Sequence, residues 1–256
     1  MANGIYILWE VLRAYIRSDI RTFIHTFSPQ KIIDFLIFNE SPWGGHLWYL
    51  GSILYVLIIA AVIDKTKYMR LIYYIIPILL MCDLVFGKYS LIILGIEFPV
   101  YYIRNFLFVG LPYFLIGRLI DAGFGKNITK RTLEIMIVVF ITTSLLERYI
   151  LVSIDMNATR DHYISTTILA VAVFLFTLKC DGKQGMLSII GRKYSMWLYI
   201  LHPIFISCIA VAMNIIGIFD YYKYVAPFVV YAVTVAFLVV IVWIKNILSI
   251  TLLSDR

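Results

Sequence analysis

Charge is what this sequence has least of. Asp, Glu, Lys and Arg make up 14% of its 256 residues, where ordinary soluble domains carry about 25%. That shortage excludes a water-soluble globular chain, whose surface needs more ionised groups. Cysteine is nearly as scarce: Cys82, Cys180 and Cys208 form no C-x-x-C pair, and two of them fall inside apolar blocks. This argues against a disulfide framework or a structural zinc site. The four histidines, His25, His46, His162 and His202, show no H-E-x-x-H or comparable spacing, so no metal is expected. The sequence also lacks a Walker loop, a G-x-S-x-G elbow and a G-x-G-x-x-G turn in a strand–helix setting. Their absence removes the commonest signatures of nucleotide and serine-hydrolase chemistry.

What is present is hydrophobic. Apolar residues make up 62% of the chain, gathered into blocks with short polar connectors between them. Crossing about 30 Å of hydrocarbon takes about 20 helical residues. Blocks near that length lie at 47–63, 71–86, 105–120, 132–152, 164–179, 194–219 and 224–244. The pattern predicts an all-α, polytopic transmembrane bundle of about seven full spans over 47–250, with no soluble domain. Residues 1–46 are expected to supply a partial or interfacial helix and an exposed-side connector ending in the turn-prone SPWGG. Within them, IYILWEVLRAYI at 5–16 is long enough for half a span and is interrupted by Glu10 and Arg13. It reads either as an interfacial amphipathic helix with Glu10, Arg13 and Arg17 on its polar face, or as the tail of a span whose first half is missing.

The net charge of +7 is an orientation signal rather than a nucleic-acid footprint, because the cations sit in connectors and termini. Lys65, Lys67, Arg70, Arg118, Lys126, Lys130, Arg131, Lys179, Lys183, Arg192, Lys193, Lys245 and Arg256 fall on alternate connectors and the C-terminus. Only Lys88, Arg104, Arg160 and Lys223 fall on the other set. The positive-inside rule then places the first group and the C-terminus in the cytoplasm.

Ionisable groups inside spans are costly, and they mark candidate sites. In GRKYSMWLYILHP, Arg192, Ser195, Tyr199 and His202 are spaced 3, 4 and 3 apart, which gathers them within about 80° of one helix face. They form either a functional polar seam or ordinary helix–helix hydrogen bonds with a snorkelling arginine. Pro203 can open backbone carbonyls at the same depth. Glu147 and Arg148 lie toward the outer end of the fourth block, Glu147 deeper, with Thr143 and Ser144 a turn earlier. Asp83 lies well inside the second block, and an internal ion pair with an exposed-side residue such as Arg104 is expected, Glu97 lying on the same side.

The segment LSIIGRKYSMWLYILHPIF resembles the late-span signature of the acyltransferase family 3 integral membrane proteins, through Gly191, Ser195, Tyr199 and His202. GGHLWYLGSILY, centred on Leu47, Trp48 and Tyr49, agrees with it. So does RNFLFVGLPYFLIGRLI, with Arg104, Asn105, Gly110, Pro112, Phe114 and Gly117. Through SLLERYIL and DHYISTTILAVAVFLF the chain is most similar to the subgroup that includes the membrane domain of vancomycin-resistance serine racemases.

The resemblance implies a bundle of about ten spans in the bacterial cytoplasmic membrane. It would pass an acyl group, acetyl in the simplest case, from cytoplasmic acyl-CoA to a hydroxyl of an exported glycan, with no bound cofactor. It also implies a catalytic histidine in a first span, preceded by an arginine. None of His25, His46, His162 or His202 sits in a matching context, so two or three early helices are expected to be missing and activity is in doubt. The implied pocket residues are His202, Tyr199, Ser195, Arg192, Glu147, Trp48, Asp83 and Arg104. Two alternatives stay open: a serine permease with the substrate ammonium near Glu147, and a non-functional gene fragment.

Overall fold

The computed structural model describes residues 2–65, 72–160, 162–180, 182 and 185–254, without the side chains of 186, 187 and 245–254. Lys67, Arg70, Lys183 and Arg256 of the orientation argument, and the side chain of Lys245, lie outside the described residues. Helices are the regular structure of the described residues, with no strand among them. Two compact units divide the chain, one of Asn3–Asp181 and the other of Gly182–Arg256. Residues 1–46 are tied into the first unit by the Tyr6–His46 ring contact, the Ser41–Asn3 hydrogen bond and the Tyr55 hydroxyl donating to the Leu36 carbonyl.

The first unit opens with α1 (Ala2–Arg17), α2 (Ile20–His25) and α3 (Pro29–Phe38). The segment expected at 5–16 is thus one unbroken helix of 16 residues, with Glu10 and Arg13 paired on its flank. α2 begins at Asp19, whose side chain accepts from the Thr22 N–H and so satisfies one of the helix's unpaired donors. α3 ends at Asn39, which adopts the left-handed conformation (φ 62°, ψ 17°) of a C-cap.

After a short turn comes α4 (Trp48–Ile63), then α5 (Ile75–Asp83), α6 (Ser90–Leu94), α7 (Val100–Ile103), α8 (Leu111–Asp121), α9 (Lys130–Ser153) and α10 (Ile164–Leu178). Two wide π turns, Leu84–Lys88 and Phe106–Gly110, interrupt the apolar blocks expected at 71–86 and 105–120. Gly87 makes the first break, with non-helical φ −97° and ψ −105°. Asn105 makes the second: its side chain accepts from the N–H groups of Leu107 and Phe108 and donates to the Tyr102 carbonyl.

The second unit is a hairpin of α11 (Met186–Ile216) and α12 (Phe219–Ser254). It turns at Gly217, whose φ of +81° suits a residue without Cβ.

Four helical segments are long and apolar enough to cross a membrane: Gly45–Ile63, Lys130–Ser153, Ser188–Ile216 and Phe219–Ile244. They coincide with four of the seven blocks. The block at 164–179 forms a helix of only 15 residues, and the remaining two are divided by the π turns. Composition reports apolar length but not a wide turn within it. Along α9, Ile135, Val138, Val139, Leu145 and Leu146 are exposed, an arrangement that water would penalise and lipid would not.

Two apolar clusters hold the first unit. Val56, Ile76, Leu79, Leu111 and Leu115 join α4, α5 and α8, and Ile120, Leu133, Ala172 and Leu175 join α8, α9 and α10. Gly110 allows the tightest approach: a Cβ there would lie 2.4 Å from Ser52 Oγ and 3.0 Å from Val56.

Candidate functional site

The connectors that follow α5 and α9 meet in the first unit, where they assemble a buried polar cluster. Asp83, the last residue of α5, has no exposed surface. Its Oδ2 pairs with His162 Nδ1, and its Oδ1 accepts from Arg160 Nε and Nη2, both at 3.3 Å. On the far side of the imidazole, Nε2 lies 2.8 Å from the Tyr113 hydroxyl and 2.7 Å from Thr167 Oγ1, and those two hydroxyls are 3.1 Å apart. Because a carboxylate only accepts, Nδ1 carries a proton toward Asp83, and Nε2 faces the two hydroxyls. Arg160 balances the carboxylate charge, which would be costly to bury unpaired. The group is therefore an acid–imidazole–hydroxyl relay.

Residues 154–163 deliver Arg160 and His162, and three ties clamp them. Lys88, with 1% of its surface exposed, donates from Nζ to the Ala158 carbonyl at 2.7 Å and lies 4.7 Å from the Tyr163 ring centroid. Glu97 accepts from the Thr159 N–H at 2.7 Å. That bond is the main reason its carboxyl is held below the ordinary range. Gly87 leaves room for the stem of Arg160, whose Cγ would lie 3.2 Å from an added Cβ.

Tyr113 carries the relay into the unit's interior. It lines a cavity of about 350 Å³ with Trp48, Ser52, Val56, Gly110 and Phe114. It also borders a second cavity of about 260 Å³, walled by Ile116, Gly117, Ala170 and Phe174. Trp48 faces Arg104, whose guanidinium carbon is 5.5 Å from the ring, and Arg104 reaches to 3.9 Å from Glu40 Oε2. Desolvation in this corner raises the Glu40 carboxyl above its usual value, with Arg104 opposing the shift.

The candidates read from the sequence are thus dispersed. Asp83, Trp48 and Arg104 sit in the first unit. Asp83 pairs with Arg160 and His162 rather than with Arg104, because Arg104 is engaged by Glu40 and Trp48. Glu147 has a different task from a cavity residue: its Oε1 accepts the Ile164 N–H and its Oε2 accepts from Ser165 Oγ. It therefore caps α10, whose first N–H groups have no partner within the helix.

His202 and Tyr199 line an apolar cavity of about 640 Å³ between α11 and α12, with Phe219, Tyr222, Lys223 and Tyr231. His202 Nδ1 lies 3.0 Å from the Leu198 carbonyl of its own helix. Ser195 and Arg192 are exposed and do not line that cavity. Among the described residues, no group of three or more His, Cys, Asp or Glu side chains is gathered as a metal ligand set.

His162, Arg160, Lys88, Tyr113 and Thr167 are the participants the sequence did not single out. One signal was available: Lys88 and Arg160 belong to the small set of cations outside the lysine- and arginine-rich connectors, and such a cation needs a reason to be there.

An all-helical chain whose described residues include four span-length apolar helices is an integral membrane protein, and its first unit buries a histidine between a carboxylate and two hydroxyls. The acyltransferase domain of acyltransferase family 3 matches residues 2–246, and the chain belongs to that family. Searches of curated proteins and of solved structures returned no match.

Proposed function

We propose that this membrane acyltransferase-like protein moves an acyl group from cytoplasmic acyl-CoA to a hydroxyl of an exported glycan or similar acceptor, and that His162 is its base. The observation that carries this reading is the relay from Asp83 through His162 to Tyr113, which opens on an apolar cavity in the first unit. Acyl transfer needs a group that takes the acceptor's proton as its oxygen attacks, and a neutral imidazole held in one tautomer is suited to that.

The acceptor hydroxyl gives its proton to Tyr113, which passes its own to His162 Nε2. The acceptor oxygen bonds to the thioester carbonyl carbon, the carbon–sulfur bond breaks, and the departing thiolate takes the proton back along the same path. Asp83 stabilises the transient imidazolium, and Arg160 keeps Asp83 in place. In the orientation that the basic connectors favour, the C-terminus is cytoplasmic and the relay lies toward the exported side of a bacterial cytoplasmic membrane, where the acceptor arrives and where the thioester arm of acyl-CoA must reach from the cytoplasmic face.

The test uses the full chain in nanodiscs with acetyl-CoA, together with mass analysis of surface glycans from cells expressing it. Thiol release and a glycan heavier by an acetyl group are expected. A correctly inserted protein that releases no thiol and leaves the glycan mass unchanged overturns the proposal, and accumulation of labelled serine in vesicles would favour a permease instead.

A further inference from the structure

The 640 Å³ cavity between α11 and α12 has no place in the chemistry assigned to the relay, and its shape limits what it can hold. Its lining runs from Leu198 to Ala210 on α11 and from Phe219 to Thr234 on α12, which at 1.5 Å per residue is about 18 and 22 Å of helix. Spread along that length, the volume is about 30 Å² in section. A helix, about 10–12 Å across, needs roughly three times that, whereas a single hydrocarbon chain fits.

Ile206, Ala226 and Val230 give the groove an apolar wall. Protein interiors close most such spaces, and apolar cavities that stay open take up apolar molecules rather than water. Pro203 and Pro227 lie within the two helices. Each denies a helical hydrogen bond to the carbonyl four residues back, at Tyr199 and at Lys223. Both of those residues line the cavity, so the disturbed turns are the ones that border it.

The length of the groove matches one leaflet of a bilayer, about 20–22 Å when its headgroups are counted. Tyr221 and Tyr224, both strongly exposed close to the turn at Gly217, are of the type that favours the headgroup level. From that level the groove runs inward to Thr234. At its outer end Lys223 lines the cavity and donates to Asp220 Oδ1 at 3.1 Å. Asp220 lies one turn nearer the end of the helix, with 87% of its side chain exposed. A cation with a carboxylate just outside it complements phosphatidylethanolamine, whose phosphate lies inside its terminal ammonium. Phosphatidylglycerol brings no cation for Asp220 and meets it as a like charge.

We propose that the groove between α11 and α12 binds one phosphatidylethanolamine molecule, with a hydrocarbon chain between the helices, its phosphate at Lys223 and its ammonium at Asp220. The bound chain fills the hairpin and holds its two helices together. The site stands apart from the acyltransferase reading and needs no acyl donor.

The test takes the full chain, stripped of lipid in maltoside detergent, and titrates it with dioleoyl phosphatidylethanolamine or dioleoyl phosphatidylglycerol while native mass spectrometry counts the lipids bound. One ethanolamine lipid should bind about tenfold more tightly than the glycerol lipid and raise the unfolding midpoint by a few degrees. Ala226→Phe, which fills the groove, should weaken that binding by about tenfold or more. Val225→Phe, exposed on the same helix and outside the lining, should leave it intact. Ala210→Phe repeats the filling from α11 should Ala226→Phe not fold, and Asp220→Asn should bring the two lipids level.

The proposal is overturned by an absence of saturable ethanolamine-lipid binding, by binding that survives the filled groove, or by phosphatidylglycerol binding as tightly. A lipid-free complex of two chains overturns it in favour of a second copy at this face. Thiol release enters none of these measurements, so a protein that binds the lipid but never turns over thioester refutes the acyltransferase reading and leaves the lipid site standing.

Discussion

His162 and His202 make the two units instructive to compare. His202 sits on a long helix in a sequence pattern that draws the eye; its Nδ1 lies beside the Leu198 carbonyl of its own helix, and it borders an apolar cavity. His162 sits in an irregular connector beside Asp83, 79 positions away in sequence, with two hydroxyls on its other nitrogen. Spacing along one helix measures shared direction, not shared chemistry. A working imidazole needs different partners on its two nitrogens, and here they come from different elements.

The contrast is broken or sharpened first by exchanging the histidines' roles. Asp83→Asn and His162→Gln should each reduce acetyl-CoA turnover by on the order of 10²–10⁴-fold, the usual worth of a positioned acid–base group. His202→Gln should leave turnover near wild type, and a collapse in that variant with a mild effect at His162 would reverse the assignment.

Second in size is Lys88→Met, which leaves the Ala158 carbonyl buried and unpaired. A loss of about 1–3 kcal/mol in unfolding free energy is expected, with faster amide exchange across 158–163. Gly110→Ala should cost about 1–3 kcal/mol, because a methyl group placed 2.4 Å from Ser52 Oγ forces α4 and α8 apart. Its check is the melting midpoint beside that of Gly117→Ala, where an added Cβ meets nothing within 4 Å.

The smallest effect belongs to Glu97. Its carboxyl titrates below the ordinary value of 4.5 in the folded protein, chiefly because it accepts the Thr159 N–H. Its stabilisation is therefore complete above pH 4.5 and fades as pH falls through the lower folded value. Melting of wild type and Glu97→Gln should differ slightly at pH 6 and converge in acid, and a gap that widens in acid would contradict the assigned tie.

The membrane-helical class was legible because long apolar stretches have few other uses. The helices at 48–63, 130–153, 186–216 and 219–254 coincide with blocks visible by hydropathy alone. The turns at Gly87 and Asn105 were not legible, since neither alters the apolar count that defines a span. Of the site, Asp83, Trp48 and Arg104 stood out as polar or aromatic residues in costly places. Their partners did not, because the pairing of Asp83 with His162 depends on how two connectors fold together. Glu147 stood out for the same reason as Asp83, and the structure gives it a local task, accepting from the Ile164 N–H and Ser165 Oγ at the start of α10.

The separation of Asp83 from its partners also sets an order of assembly. When α5 is first made, its terminal carboxylate has neither Arg160 nor His162 to meet, and it must stay hydrated until the connector between α9 and α10 follows. Burial of Asp83 is thus a late event in the making of the first unit, and a chain halted after α8 would hold a hydrated ion that the finished protein keeps out of water entirely.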